Sequence, residues 1–293
     1  MYAITGITGH VGGATARALL AAGERVRAVV RDPAKGQEWT SLGAEAAVAD
    51  LADPAALAAA LTGARGAFVL LPTDPAAADP DAAHRRLADA IAEGVAVSGV
   101  PHVVMLSSAG ADRPDGTGPV RWLHHLENRL RGTGAVVTAI RSPHFQEKAG
   151  DVLPAVVEQG VFPVFASSAD AAIPMAATRD VGAAVAEALR YPPPASEVVD
   201  LDAPRSTERQ VAAALAAELG RPVEVLVVPR PAWADVLRDA GVPPALAAEL
   251  VQLFDADDRG LLQPRGDRSV RCTTPVEETL RDLLVSLGPA STP

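Results

Sequence analysis

Residues 2–22 read YAITGITGHVGGATARALLAA, and the reading of the whole chain follows from them. Tyr2 to Ile4 form a short apolar strand. Gly6, Gly9 and Gly12 follow at intervals of three, and an Ala- and Leu-rich helix begins at once. Gly6 permits a tight turn out of the strand. Gly9 leaves the backbone bare where a pyrophosphate would approach, and Gly12 lets the helix lie close on the strand. The helix start adds free N–H groups and the positive end of its dipole. The spacing alone also fits an ordinary strand–helix turn, so context decides. Gly23 suits a helix C′ position, and a second strand, Arg25–Val30, completes a βαβ unit of about 30 residues. Nucleotide binding is the expectation.

Beyond Val30 the chain reads Arg31-Asp32-Pro33-Ala34-Lys35. In dinucleotide folds this strand end meets the adenosine ribose, where an acid favours NAD and an Arg accommodates a 2′-phosphate. Here the Arg comes first, Lys35 follows one helical turn on, and Asp32 before Pro33 suits a helix N-cap. NADP(H) is favoured over NAD(H). Ala44–Ala49 reads as a third strand. Asp50 and Leu51 behind it stand where such folds hold the adenine, and read equally as a loop before the helix Pro54–Leu61. Gly66–Leu71 is a continuous apolar run, as a strand buried on both faces requires, with Pro72 and Thr73 at the carboxyl edge where ligands bind.

The helix Asp81–Ser98 lines up Leu87, Ile91 and Val95, with His84, Arg85 and Arg86 near its start read as solvated. The strand His102–Leu106 delivers Ser107 and Ser108 to the same edge. Their hydroxyls could bond a substrate carbonyl, a cofactor ribose or loop backbone. Asp112–Gly118 reads as a mobile loop. The helix Val120–Leu130 shows a Leu123, Leu126, Leu130 stripe. His124 and His125 diverge by about 100° and lack the i, i+4 spacing of a metal pair, so no metal site is expected. Ala135–Ile140 is a sixth strand.

The alternation then loosens. Helices are expected at Val152–Glu158, Arg179–Arg190, Glu208–Leu219, Pro244–Phe254 and Pro275–Leu287. Strands are expected at Val161–Phe165, Ala172–Ala177, Val198–Leu201 and Val223–Val228. Arg259–Arg268 reads as an irregular loop and Gly288–Pro293 as a disordered tail.

The 293 residues are 48% hydrophobic, ample for one large α/β domain or two packed lobes. No apolar run is long enough to span a membrane, and the first residues read as a strand rather than a leader, so a soluble, cytoplasmic protein is expected. The net charge of −10 argues against nucleic acid as a partner. Cys272 stands alone, which excludes an intrachain disulfide and a cysteine metal cluster. Lys occurs only at Lys35 and Lys148, a bias of GC-rich bacterial coding sequence.

Taken in series, several stretches resemble the NmrA-like branch of the atypical short-chain dehydrogenase/reductases. They are TGITGHVG (5–12), VRDPAK (30–35), ADL (49–51), VLLP (69–72), LSSA (106–109), LENRL (126–130), VTAIRSPHF (137–145) and IPMAATRDV (173–181). The resemblance implies a Rossmann-like doubly wound parallel sheet with a smaller α/β C-terminal lobe. Residues 1–150 would form the NAD(P)-binding domain, rejoined by about 178–202, and the rest of 151–293 a substrate lobe. Thr8, Gly9, His10 and Val11 would serve the phosphates, Arg31 and Lys35 the 2′-phosphate. Leu71, Pro72, Ser107, Ser108, Pro143 and Phe145 would border the cofactor farther along.

The chain departs from the wider superfamily in one respect. The usual Tyr-x-x-x-Lys, in which Tyr gives the proton and Lys tunes it, is absent. Tyr2 and Tyr191 have no Lys four residues on. The remaining proton donors are His144, His124, His125, Ser107 and water, with His144 ranked first because it follows Pro143 at a strand end. Three readings result: an NADPH-dependent oxidoreductase acting on a quinone, enone or related small molecule; a non-catalytic NADP(H) sensor that binds a protein partner; and a non-redox enzyme on the same scaffold.

Overall fold

The computed structural model describes residues 1–286. Leu287, the expected end of the last helix, and the 288–293 tail lie outside the described residues. In chain order the first part runs β1 (Tyr2–Ile4), α1 (His10–Ala21), β2 (Val26–Val30), α2 (Pro33–Ser41), β3 (Glu45–Val48), α3 (Pro54–Leu61), β4 (Gly66–Val69), α4 (Pro80–Ser98), β5 (His102–Ser108), α5 (Val120–Arg131) and β6 (Val136–Ser142). There follow β7 (His144–Phe145), a 3-10 segment (Gln146–Val152), α6 (Leu153–Gln159), β8 (Val161–Val164), β9 (Ile173–Ala176), α7 (Thr178–Arg190), β10 (Glu197–Asp202), β11 (Arg205–Ser206) and α8 (Glu208–Leu219). The last part comprises β12 (Glu224–Val227), a 3-10 turn (Arg230–Ala232), α9 (Trp233–Asp239), α10 (Pro244–Asp258), β13 (Arg268–Arg271) and α11 (Val276–Ser286).

Successive strand side chains point to opposite faces, and here both faces are apolar. Tyr2 and Ile4 of β1, Phe68 of β4, Val104 of β5 and Ile140 of β6 enter one core layer with residues of α1, α2 and α7. Ala3, Ala67, Val69, Val103, Met105 and Ala139 enter the other, against α3, α4 and α5. The result is an eight-stranded parallel sheet in the order β13-β10-β6-β5-β4-β1-β2-β3, a Rossmann-like doubly wound fold. The strand order reverses between β1 and β4, the switch point at whose carboxyl end such sheets bind ligands. Two small sheets, β11-β9-β7 and β12-β8, stand beside it. A third apolar cluster joins α6, β8, α8 and α11 through Leu153, Phe162, Leu215 and Leu280. Gly182 lets α7 lie against α1: a Cβ there would come within 2.5 Å of the Ala14 Cβ.

Local signals account for many element ends. Asp32 accepts from the Ala34 N–H with Pro33 at the first helical position, and Thr207 and Gln210 form a reciprocal capping box on α8. Several expectations need correction. His84 is buried rather than solvated, because it stacks on Trp122 with ring centroids 3.9 Å apart. The buried face of α5 is Trp122, Leu126, Glu127 and Leu130, and Leu123 is only half-buried. The helix expected to end at Phe254 continues to Asp258, and the loop after it ends in strand β13. Helix α9 was not anticipated. The far end of the Asp112–Gly118 loop is packed, since a Cβ at Gly118 would come within 2.3 Å of the Glu249 carbonyl oxygen.

Candidate cofactor cleft and active site

The turn after β1 has the shape its glycines suggested. Gly6 takes a left-handed conformation (φ +57°), and a Cβ there would meet Leu70 at 2.4 Å, so β1 and β4 part closely at the switch point. A Cβ at Gly12 would lie 2.3 Å from the Gly6 carbonyl oxygen, which sets how closely α1 approaches the turn. Gly9 is different: its φ is −91°, and an added Cβ would meet only the Gly6 oxygen, at 3.3 Å. The first bond of α1 runs from the Gly13 N–H to the Gly9 carbonyl at 2.9 Å, and no side chain caps the helix. The N–H groups of His10, Val11 and Gly12 are therefore left without an acceptor in the first turn. Thr8, Gly9 and His10 are exposed, whereas Val11 is buried. An uncapped helix start behind bare glycine backbone fits the diphosphate of a dinucleotide.

At the end of β2, Arg31 and Lys35 are exposed and make no ion pair among the described residues, while the Asp32 carboxylate caps α2. Two free cations beside a committed acid suit a phosphate better than a ribose hydroxyl. Asp50 is exposed and accepts from the Ala52 N–H at 2.9 Å; Leu51 is buried against the sheet. Leu71 is half-buried and Pro72 exposed at the end of β4. Phe145 packs on the sheet core behind Pro143.

The hydroxyls at the end of β5 are engaged. Ser107 is buried and donates to Glu127 Oε1 at 2.6 Å, so it faces α5 rather than an open cleft. Ser108 donates to the Ala109 carbonyl at 3.2 Å. The same Glu127 accepts from Arg141 Nε and Nη2 at 2.9 and 2.8 Å, a buried fork the sequence reading did not find. The available signal was Arg141 itself: a guanidinium closing an apolar strand requires a buried acid.

The three candidate histidines part company. His124 Nδ1 donates to the Ala111 carbonyl at 2.8 Å, and its Nε2 accepts from Asn128 at 2.9 Å. His125 lies between α4 and α5, with Nε2 2.9 Å from Asp89 and Nδ1 beside Arg85. His144, on β7, is half-exposed and points Nε2 toward Asp257 of α10, 3.2 Å away but off-line for a hydrogen bond. Its Nδ1 has no hydrogen bond among the described residues. Burial pulls the His144 pKa down, but the Asp257 carboxylate and the charge of Glu208 outweigh it and hold the ring above the ordinary histidine value. An imidazole with one nitrogen facing a carboxylate and the other without a hydrogen bond among the described residues has the arrangement general acid work requires. Asp257 was missed because the helix was expected to stop three residues before it, whereas α10 runs to Asp258. Cys272 is buried, and burial, aided by Asp180 and Asp202, pushes its thiol up to about 12, which makes it unreactive. No helix among the described residues is long and apolar enough to cross a membrane.

Residues 2–264 match the NmrA-like family. The chain is 29% identical over 257 residues to an NAD(P)H azoreductase of Xenophilus azovorans, an alignment covering 87% of this chain and 86% of that protein. It is 29% identical over 253 residues to quinone oxidoreductase 2 of Escherichia coli (strain K12), covering 84% of each. The crystal structure of an NADPH-dependent quinone oxidoreductase from Escherichia coli, complexed with NADPH, superimposes with a TM-score of 0.81 at 25% identity, over 97% of this chain and 100% of that one.

Proposed function

The chain belongs to the NmrA-like family, and from that premise we propose that it is an NADPH-dependent oxidoreductase reducing a quinone, an enone or a related small conjugated carbonyl compound. One observation carries this reading. The uncapped start of α1 and the cations Arg31 and Lys35, unpaired among the described residues, stand at the carboxyl ends of two paired strands, β1 and β2. That is the donor set for a dinucleotide bearing a 2′-phosphate. Residues 1–150 with 178–202 would hold the cofactor, and the remainder of 151–293 the substrate. Gly6, Thr8, Gly9, His10, Val11 and Gly12 would surround the diphosphate. Arg31 and Lys35 would take the 2′-phosphate, and Asp50 and Leu51 would border the adenine. Leu71, Pro72, Ser108, Pro143 and Phe145 would border the reacting end.

Bound NADPH would supply the hydride. The chain's own residues must then orient the acceptor and supply one proton to its oxygen. His144 is the donor in this reading, because its Nδ1 has no hydrogen bond among the described residues and its Nε2 faces the Asp257 carboxylate, which raises its pKa. Quinones also tolerate protonation by water. A second reading, a non-catalytic NADP(H) sensor, has one observation in its favour: the ring nitrogens of His124 and His125 are all engaged, so α5 offers no donor of its own.

The test is a screen of NADPH oxidation over quinones, enones and ketones, paired with cofactor titrations. Turnover with a conjugated acceptor supports the oxidoreductase. NADPH binding without turnover on any acceptor leaves the sensor, and no binding of either nucleotide ends both.

A further inference from the structure

Helix α10 packs through Glu249 and Leu253 on Gly118, in the loop that follows β5, and is fastened at several points. Arg121 of α5 forms a two-pronged ion pair with Glu249 and also bonds Asp81 of α4. Arg230 pairs with Asp255, and Asp258 accepts from the Ser167 N–H at 3.0 and 2.9 Å. Phe254 stacks on Phe165, ring centroids 5.2 Å apart, and meets Trp233 edge-on. Residues three apart on a helix share a face, so Asp257 lies on the same side as Phe254. The Asp257 carboxylate is 29% exposed, and the neighbouring contacts fix the helix that bears it.

We propose that Asp257 is the positioning residue of this site: its carboxylate, 3.2 Å from His144 Nε2, attracts that side of the ring as an ion pair and leaves Nδ1 to give a proton to the substrate oxygen. This rests on reading His144 as the donor. As hydride reaches the acceptor, the proton leaves Nδ1 for the acceptor oxygen, Asp257 stays a carboxylate, and the neutral imidazole regains a proton from water. The charged groups facing His144 are Asp257 from α10 and Glu208 from α8. Burial raises the Glu208 pKa above the usual carboxylate range, His144 opposing and Asp257 adding to the effect, so Glu208 is the weaker support for a cation.

The Asp257→Asn variant removes the charge at constant shape and leaves burial to act on His144. The His144 ring titration, followed by NMR in the whole protein, is then expected to move down by about one pH unit or more. With the best acceptor from the screen, the basic limb of the turnover profile moves down by the same amount, and NADPH affinity is unchanged. The Asp257→Glu variant, which keeps the charge, restores much of both. An unchanged His144 titration in Asp257→Asn overturns the proposal. A shifted titration with an unshifted turnover profile overturns it too, because the pair then exists without serving the reaction. If no acceptor is reduced, the oxidoreductase reading fails on its own account. The NMR arm still decides whether Asp257 holds the ring.

Discussion

Glu127 of α5 closes both prongs of the Arg141 guanidinium of β6, at 2.9 and 2.8 Å, with the two side chains only 2% and 5% exposed. Removing one partner of such a pair strands the other charge in the core. Glu127→Ala is expected to cost about 3–5 kcal/mol of unfolding free energy. Replacing both, as Glu127→Leu with Arg141→Met, should return most of it. Urea denaturation of the single and double variants measures the difference.

Gly9 and Gly12 should fail in different ways. A side chain at Gly9 meets only one oxygen, at 3.3 Å, so Gly9→Val folds but fills the approach to the helix start and abolishes NADPH binding. A side chain at Gly12 collides with backbone at 2.3 Å, so Gly12→Ala loses about 1–3 kcal/mol of stability. Melting curves read alongside NADPH titrations separate the two. Full NADPH affinity in a folded Gly9→Val protein would remove the cradle from the site.

Arg31 should decide between the two nucleotides. Losing a charge-assisted hydrogen bond costs about 1.5–3 kcal/mol, or about 10- to 100-fold in affinity. Arg31→Ala is expected to weaken NADPH by that factor and NADH little. An equal loss for both would count against a 2′-phosphate at this strand end.

His144→Ala should lower turnover by about 100-fold or more while leaving NADPH affinity intact, the usual size of a general acid's contribution. Full turnover of this variant across pH 6–8 would mean that water supplies the proton.

His102 gives the stability a pH dependence. Burial, opposed by the charge of Glu197, pushes its pKa down to about 4, and Nε2 lies 3.1 Å from the Thr138 hydroxyl. The unfolded value is about 6.5, so the folded state keeps the ring neutral where the unfolded chain would charge it. The contribution is whole above about pH 6.5 and is lost as pH falls toward 4, about 3 kcal/mol in all. His102→Asn should flatten the fall in unfolding free energy between pH 7 and pH 4. An identical slope in wild type and variant would assign the loss to other groups.

The sheet strands and the tight glycine turn after β1 were legible because they depend on neighbours in sequence: apolar runs, glycine spacing and Asp-Pro caps. What escaped depends on partners far along the chain. His84 sits in a polar triplet, HRR, and only Trp122, from another helix, makes it a core residue. Nothing beside Glu127 in the sequence marks it as buried; its partner Arg141 comes from β6. β13 reads RSVR, with Val270 its single apolar residue, and it becomes a strand by pairing with β10 and by the Arg268–Glu197 ion pair. Asp257 was hidden by a helix end placed too early, which is where pattern reading is weakest.

From β4 outward the strands stand in the order in which the chain is made: β4, β5, β6, β10, β13. A nascent chain leaving the ribosome can therefore add each strand to an edge that already exists. Strands β7, β8 and β9 with α6 and α7 come between β6 and β10, so the open edge of β6 must wait through all of them for Glu197 and its neighbours. An open parallel edge is a template for pairing with another chain, and β6 is long and apolar. The intervals before β10 and before β13 are thus stages of synthesis at which an unpaired parallel edge stands open to another chain.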